Sequence, residues 1–221
     1  MDFAVMGERL SDHLNDDSTQ RWSEETRNAY LNIAYRRFCN ADNWPFREAI
    51  TTAVTTVAGT QSYALPITIN MPLGVWLTSI QYQNKLASIT RKEREILSYT
   101  GNGKPIYYFL FGSNIQLYPT PDAAYNLVIE YQARIADLVL PTDEPIFDSD
   151  FHYLIPLLAA SILKRTSGGS DDTEADALYE EYLRGLEDAK FRMLPREIDR
   201  PKNVVSLYDY GNYSPTIQSN F

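Results

Sequence analysis

The sequence predicts an α+β protein: a helical bundle with an inserted antiparallel β-domain and an extended C-terminal arm. Residues 47–135 alternate as strands do, whereas the segments on both sides show the spacing of amphipathic helices. The residues after Pro195 keep neither period. We therefore divide the chain into a first helical part at 1–45, an insert at 46–135, a second helical part at 136–195 and an arm at 196–221.

Two helices are predicted before the insert. The first covers residues 3–15 and is amphipathic, with an apolar face formed by Phe3, Met6, Leu10 and Leu14. The second begins after Ser23, because this residue is a suitable N-cap and two glutamates follow it in the first turn. We expect this helix to end near Asn43, because Pro45 disfavours helical backbone at the residue before it.

The insert is predicted to hold six strands and one short charged helix. Short segments rich in β-branched and aromatic residues, separated by Gly and Pro turns, are typical of an antiparallel sheet or a small sandwich. The strands are expected at 49–57, 62–65, 75–83, 106–111, 115–118 and 127–134, and the helix at 91–99. Trp76, Ile80 and Tyr82 should share one strand face, while Trp44 and Phe46 should clamp the preceding helix against the sheet.

Two more helices are predicted after the insert. Residues 154–163 are apolar on most faces, so this helix should be the buried centre of the helical part, although it is too short to cross a bilayer. The following helix, 172–194, has one apolar stripe and an opposite acidic face. The acidic candidates are Asp176, Glu180, Glu181, Glu187 and Asp188. They form either a solvated face or an electronegative wall that repels DNA in a channel.

The arm carries aromatic residues at a density that a disordered tail usually lacks. The aromatic candidates for docking are Tyr208, Tyr210, Tyr213 and Phe221. The arm is therefore expected to dock, either on its own core or on another chain.

Residues for catalysis are scarce, and no cofactor or metal is predicted. Cys39 is a lone cysteine, and His13 and His152 have no partners at metal-ligand spacing. The glycines at 101–105 lack the rest of a phosphate-binding loop. Four acids could hold a divalent ion or act as a carboxylate pair in glycoside hydrolysis, or they could simply cap a helix entry. They are Asp143, Glu144, Asp148 and Asp150.

The net charge of −9 is unevenly distributed. The helical parts are acidic, whereas the insert carries seven basic and five acidic residues. This balance argues against tight binding of nucleic acid, which needs clustered Lys and Arg, but it does not exclude a protein past which DNA slides. The acidic start of the chain does not resemble a signal peptide, so we expect synthesis in the cytoplasm.

Several short motifs occur together in a characteristic order between residues 20 and 194. They are Asn28 to Cys39 followed by Asp42-Asn43-Trp44-Pro45-Phe46, then Tyr63-Ala64-Leu65-Pro66, Lys104-Pro105-Ile106-Tyr107-Tyr108, Ile115-Gln116-Leu117-Tyr118-Pro119-Thr120-Pro121 and Phe151-His152-Tyr153-Leu154-Ile155. In this order they resemble the head-to-tail adaptor (connector) proteins of tailed bacteriophages, the group that includes podovirus tail tubular protein A.

The resemblance implies a non-enzymatic structural protein in the virion neck. It implies a ring, usually of twelve copies, that lies below the portal protein, continues the DNA channel and docks a tail or nozzle protein. DNA would pass without specific binding, and no membrane is involved. Since a C-terminal segment often reaches the portal in such connectors, the four arm aromatics become candidate portal anchors.

Two other functions stay open on the sequence. One is a different virion module that recognises protein or carbohydrate, which exposure of Trp76, Tyr107 and Tyr108 on one face would favour. The other is a carboxylate-dependent hydrolase that uses the acids around 143–150.

Overall fold

The computed structural model describes residues 1–16, 21–79, 82–96, 101–167 and 172–194. Over these residues the chain forms five α-helices and eight strands. In chain order they are α1 (Phe3–Leu14), α2 (Glu24–Cys39), β1 (Glu48–Thr55), β2 (Ser62–Ala64), β3 (Ile69–Ser79), β4 (Tyr82–Lys85), β5 (Ala87–Ser88), α3 (Arg91–Ile96), β6 (Tyr107–Phe111), β7 (Asn114–Tyr118), β8 (Asn126–Ala133), α4 (Leu154–Ser167) and α5 (Asp172–Met193). The predicted α+β class is confirmed.

The helix starts follow the predicted capping chemistry. Ser23 caps α2, since its side chain accepts a hydrogen bond from the backbone N–H of Thr26. The helix ends at Cys39, four residues before the predicted end. The reason is Trp44, which folds back so that its indole N–H donates to the carbonyl of Phe38 at 3.0 Å. The same carbonyl, at the end of the helix, also accepts from the backbone N–H of Ala41 at 3.1 Å.

Helix α4 is the centre of the helical part, as predicted. It packs against α1, α2 and α5, and its apolar residues are almost wholly buried. Pro156 lies in the first turn of α4, where its missing N–H costs no helical hydrogen bond. The helices and the loop before α4 share one hydrophobic cluster. Its largest fully buried side chains include Met6, Leu10, Leu31, Tyr35, Phe38, Trp44 and Leu154.

The strands form two four-stranded sheets. The first has the order β1-β8-β3-β4 and the second the order β2-β7-β6-β5. The strand pairs are antiparallel apart from β5 and β6, which run parallel. Both sheets contribute to a second hydrophobic cluster, which agrees with the predicted small sandwich. It contains Val54, Ile69, Val75, Leu77, Leu86, Tyr108, Ile115, Leu117, Leu127, Ile129 and Tyr131.

The predicted single strand at 75–83 is wrong. Strands β3 and β4 pair antiparallel, with Ser79 opposite Tyr82, so the chain turns within this segment. Val75 and Leu77 face the core, whereas Trp76 lies on the other face and is only partly buried. Neighbouring residues along a strand point to opposite faces of the sheet, so Trp76 lies away from the core that Val75 and Leu77 face. Ile80, which was predicted to share the face of Trp76, lies outside the described residues.

The predicted clamp of Trp44 and Phe46 against the sheet is also wrong. Trp44 stacks on Phe38 at 5.3 Å between ring centroids, and Phe46 contacts Phe147 at 5.7 Å. Both rings therefore belong to the helical cluster. The link between helices and insert comes instead from Arg47, the next residue in the chain.

Arg47 is 5% exposed and ties the end of α2 to the end of β8. Its guanidinium donates to the carbonyl of Cys39 at 2.6 Å, to Oδ1 of Asn40 at 2.8 Å and to the carbonyl of Ala133 at 2.9 Å. The first and last strands of the insert are neighbours, with Glu48 opposite Gln132.

Candidate interaction surfaces

Helix α5 presents the predicted acidic residues on its outer side. It packs on α4 through Ala175, Tyr182, Gly185, Leu186 and Ala189, which are buried. The five acidic candidates are all exposed, so the predicted separation of an apolar and an acidic face is confirmed. Whether this face lines a DNA channel stays a prediction.

The five acids fall on two stripes of α5 rather than one, because positions four and seven apart align on a helix. Asp176, Glu180 and Glu187 share the first stripe with two apolar side chains, Leu183 (39% exposed) and Phe191 (64% exposed). Helical spacing alone could have revealed these two apolar residues. The second stripe alternates in charge, and its members are Glu181, Arg184, Asp188 and Arg192.

Basic neighbours compensate part of the acidic face. Arg165 pairs with Asp176 at 2.7 Å, and Arg192 pairs with Asp188 at 3.2 Å. Lys190 lies 3.7 Å from Glu187. Burial lowers the pKa of His13 on α1, and the carboxylate of Glu181 opposes this effect. Residues 172–194 nevertheless contain seven acidic and three basic residues, so the helix keeps a net charge of −4.

An apolar cleft lies at one end of the insert. A cavity of about 290 Å³ is enclosed by the segment from Leu65 to Pro72, the β6–β7 turn and Arg134. Ile67, on its rim, is 81% exposed, and Phe111 in the β6–β7 hairpin is 55% exposed. The sequence prediction missed this cleft because the alternating pattern does not show which strand ends meet.

A further groove of about 450 Å³ runs between α1 and α2. Its lining includes Glu8, Glu24 and Arg27, and Val139 at its edge is 74% exposed. Asp143 shapes this edge, since its carboxylate accepts hydrogen bonds from the backbone N–H groups of Val139 and Leu140 at 2.7 Å. These bonds lower the pKa of Asp143.

The acids around 143–150 act as caps and ion-pair partners in this structure. Asp148 accepts from the backbone N–H of Asp150 at 3.0 Å and caps a 3₁₀ turn at Ser149–Phe151. Glu144 lies 4.0 Å from the N-terminal ammonium group, and Asp150 lies 3.8 Å from Arg192. Each carboxylate therefore has a structural partner, as the capping interpretation expects.

His152 and Cys39 also have structural surroundings. His152 is 1% exposed and lies between the carbonyl of Phe147, 2.9 Å from Nε2, and Met1. Cys39 is wholly buried, and burial raises its pKa to about 12. Among the described residues, no group of His, Cys, Asp and Glu has the geometry to hold a metal ion.

The aromatic face that would favour a carbohydrate-binding module does not form as expected. Tyr108 is 7% exposed and belongs to the core of the insert, while Trp76 and Tyr107 are partly buried. Lys85 lies 5.3 Å above the Trp76 ring. The indole also rests on Gly74, where an added Cβ would lie 2.3 Å from its ring.

The predicted portal anchors lie outside the described residues. They are Tyr208, Tyr210, Tyr213 and Phe221. None of the helices in the described part of the chain combines the length and apolar character that a membrane span requires.

Comparison with known proteins identifies the family. The sequence model of the SU10 adaptor protein family matches residues 1–204, and no curated protein matches the chain. The match covers both helical parts and the whole insert, and this family of phage head-to-tail adaptors is structural rather than a class of enzyme. The chain therefore belongs to the SU10 adaptor protein family and is a structural component of a phage virion that interacts with other virion components.

Proposed function

We propose that the protein forms a ring, of twelve copies, in the virion neck below the portal protein. The ring continues the DNA channel and docks a tail or nozzle protein. The observation that carries this proposal is α5, a helix of 22 residues that packs on α4 with one face and exposes acids along the other. A rigid helix with this charge suits a wall past which DNA moves without binding, since it repels phosphates.

The outer face of α5 also supports contact between subunits. Leu183 and Phe191 are exposed among acidic side chains, and an apolar centre with a charged rim is typical of protein interfaces. In the proposed ring, Leu183 and Phe191 contact a neighbouring copy, and the acids along the outer face of α5 border this contact and face the channel.

In this proposal the insert binds the tail-side protein and the arm binds the portal. The cleft lined by Ile67 and Leu110 supports docking of the tail-side protein, because both are exposed apolar side chains beside a cavity. The aromatic arm anchors on the portal through Tyr208, Tyr210, Tyr213 and Phe221.

Sedimentation and negative-stain imaging of the chain, alone and with portal particles, test the ring. We expect ring-shaped particles at least in the presence of portal. A chain that lacks residues 196–221 should lose portal binding. Portal binding that survives this deletion undiminished contradicts the arm assignment, and a chain that stays monomeric on portal particles contradicts the ring.

Charge reversal tests the channel wall. The double variant Glu180→Lys/Glu181→Lys raises the net charge of α5 by four units. Assembled particles of this variant should retain DNA in a gel-shift experiment. The matched control reverses Glu8 and Asp12, two exposed acids of α1, with the same change in net charge. Equal DNA retention by both variants would show that net charge alone matters and that α5 does not line the channel.

A further inference from the structure

A polar cleft of about 270 Å³ lies where the helical part meets the first sheet. The loop after α2 forms one wall, and strands β3 and β8 form the other. The lining consists of Asn40, Ala41, Asp42, Asn43, Arg47, Asn70, Met71 and Gln132. Six of these eight side chains are polar, and one of them, Asn70, also lines the neighbouring cleft around Ile67.

Gln132 is the anomalous residue of the cleft. It is 2% exposed, and neither its Nε2 nor its Oε1 has a hydrogen-bond partner within the described part of the chain. Its neighbours across the first sheet are Glu48 on β1 and Met71 on β3. Buried polar groups are almost always hydrogen-bonded, so a side-chain amide with both ends unpaired needs an explanation.

The chemistry of the cleft selects a neutral ligand. Asp42 and Arg47 balance each other in charge, and the guanidinium of Arg47 already donates to two carbonyls and to Asn40. A carboxylate would satisfy only the amide nitrogen of Gln132, and an ammonium group would satisfy only its oxygen. The backbone of an extended residue satisfies both Nε2 and Oε1 of Gln132. Its C=O accepts and its N–H donates, and the two groups point to the same side of the chain.

The same chain already contains this interaction elsewhere. Asn32 on α2 is 9% exposed and grips the backbone of Leu138 with both ends of its amide. Nδ2 donates to the Leu138 carbonyl at 2.9 Å, and Oδ1 accepts from the Leu138 N–H at 2.8 Å. Gln132 has the same amide donor and acceptor, but neither is paired with a backbone group in the described part of the chain.

The position of α5 identifies the peptide. Lys190, in the last turn of α5, lies 3.7 Å from Asp42 on the cleft wall. The described chain stops at Leu194, four residues later, so residues 195–221 start within a few residues' reach of the cleft. We propose that the root of the C-terminal arm, residues 195–202 of the same chain, binds in this cleft in an extended conformation and pairs its backbone with Gln132.

Entry to the amide requires one side chain to move. Met71 lies directly opposite Gln132 in the sheet, and its flexible side chain is 43% exposed. The remaining arm residues, 203–221, carry all four candidate portal anchors. The cleft therefore fixes where the arm starts and the direction in which it leaves the bundle.

Limited trypsin digestion of the free full-length chain tests the proposal, with cleavage after Arg196 and Lys202 as the readout. Asn43→Trp places a bulky ring on the exposed cleft wall and should displace the segment. If the segment is bound about 90% of the time, cleavage at both sites should become about tenfold faster, because proteolysis follows the open population. Asn84→Trp, on exposed β4 away from the cleft, is the matched control and should leave cleavage unchanged.

A second variant, Gln132→Met, removes the amide and should accelerate the same two cleavages. Equal cleavage rates in the wild type and in Asn43→Trp would overturn the proposal and leave water as the occupant of the cleft. Protection that increases with protein concentration would also overturn it, because another copy would then supply the segment. The free chain is the sample throughout, so the result is independent of ring formation.

Discussion

Gly185 sets how closely α4 and α5 approach each other. A Cβ atom at this position would lie 2.3 Å from Cδ2 of Leu154 and 2.8 Å from the hydroxyl of Tyr153. Leu154 is fully buried at the start of α4, so its side chain has little room to move. Gly185→Ala should therefore force either a rotamer change at Leu154 or a separation of the two helices.

The expected magnitude combines two opposing terms. Alanine favours the helix over glycine by about 1 kcal/mol. Overpacking of a filled core costs about 1–3 kcal/mol. The free energy of unfolding should thus fall by up to about 2 kcal/mol in Gly185→Ala, despite the better helix former.

Gly7 in α1 is the matched control, because a Cβ there would have no neighbour within 4 Å. Gly7→Ala should raise the free energy of unfolding by about 0.5–1 kcal/mol through helix propensity alone. Urea unfolding followed by circular dichroism measures both variants. If Gly185→Ala is as stable as Gly7→Ala, Leu154 can move aside at no cost and the close approach does not depend on glycine.

Three further changes have defined outcomes. Asn32→Ala leaves both backbone groups of Leu138 without their partners and should lower the free energy of unfolding by about 2–3 kcal/mol in urea titrations. Asp143→Asn removes a carboxylate whose pKa is lowered by two backbone N–H groups. Its stabilising effect is present above the ordinary pKa of 3.8 and is lost as the pH falls through the lower folded-state pKa, so wild type and variant should converge in acid unfolding curves. Cys39, buried and with its pKa raised to about 12, should react with thiol reagents at neutral pH only as fast as the protein unfolds, which mass spectrometry can follow. Rapid labelling of the native protein would contradict its burial.

The helical part could be predicted from sequence because its signals are local. The apolar stripe of α5 and the N-cap at Ser23 each depend on residues within a few turns of each other. The acidic outer face followed from the same periodicity. These patterns fix which side of a helix is buried, whatever partner covers it.

The errors lie where distant segments meet. The sequence has no Gly or Pro between Ser79 and Tyr82, so its alternating pattern predicted one strand where β3 and β4 pair. The position of Phe46 depends on Phe147, which follows it by about a hundred residues. The polar cleft is similar, since Asn43 and Gln132 are far apart in sequence and neither belongs to a motif. Periodicity contains no information on such pairings.

The way the insert is attached explains how one chain can serve several partners. The insert is joined to the helical part through its first and last strands, which are neighbours with Glu48 opposite Gln132. The two ends of the insert therefore lie only about 5 Å apart. The helical and insert clusters share no residue. Arg47 spans the junction through backbone carbonyls rather than through the packing of either core. A component that binds the insert therefore need not repack the helices, and Arg47 and the adjoining polar cleft lie between its site and the bundle.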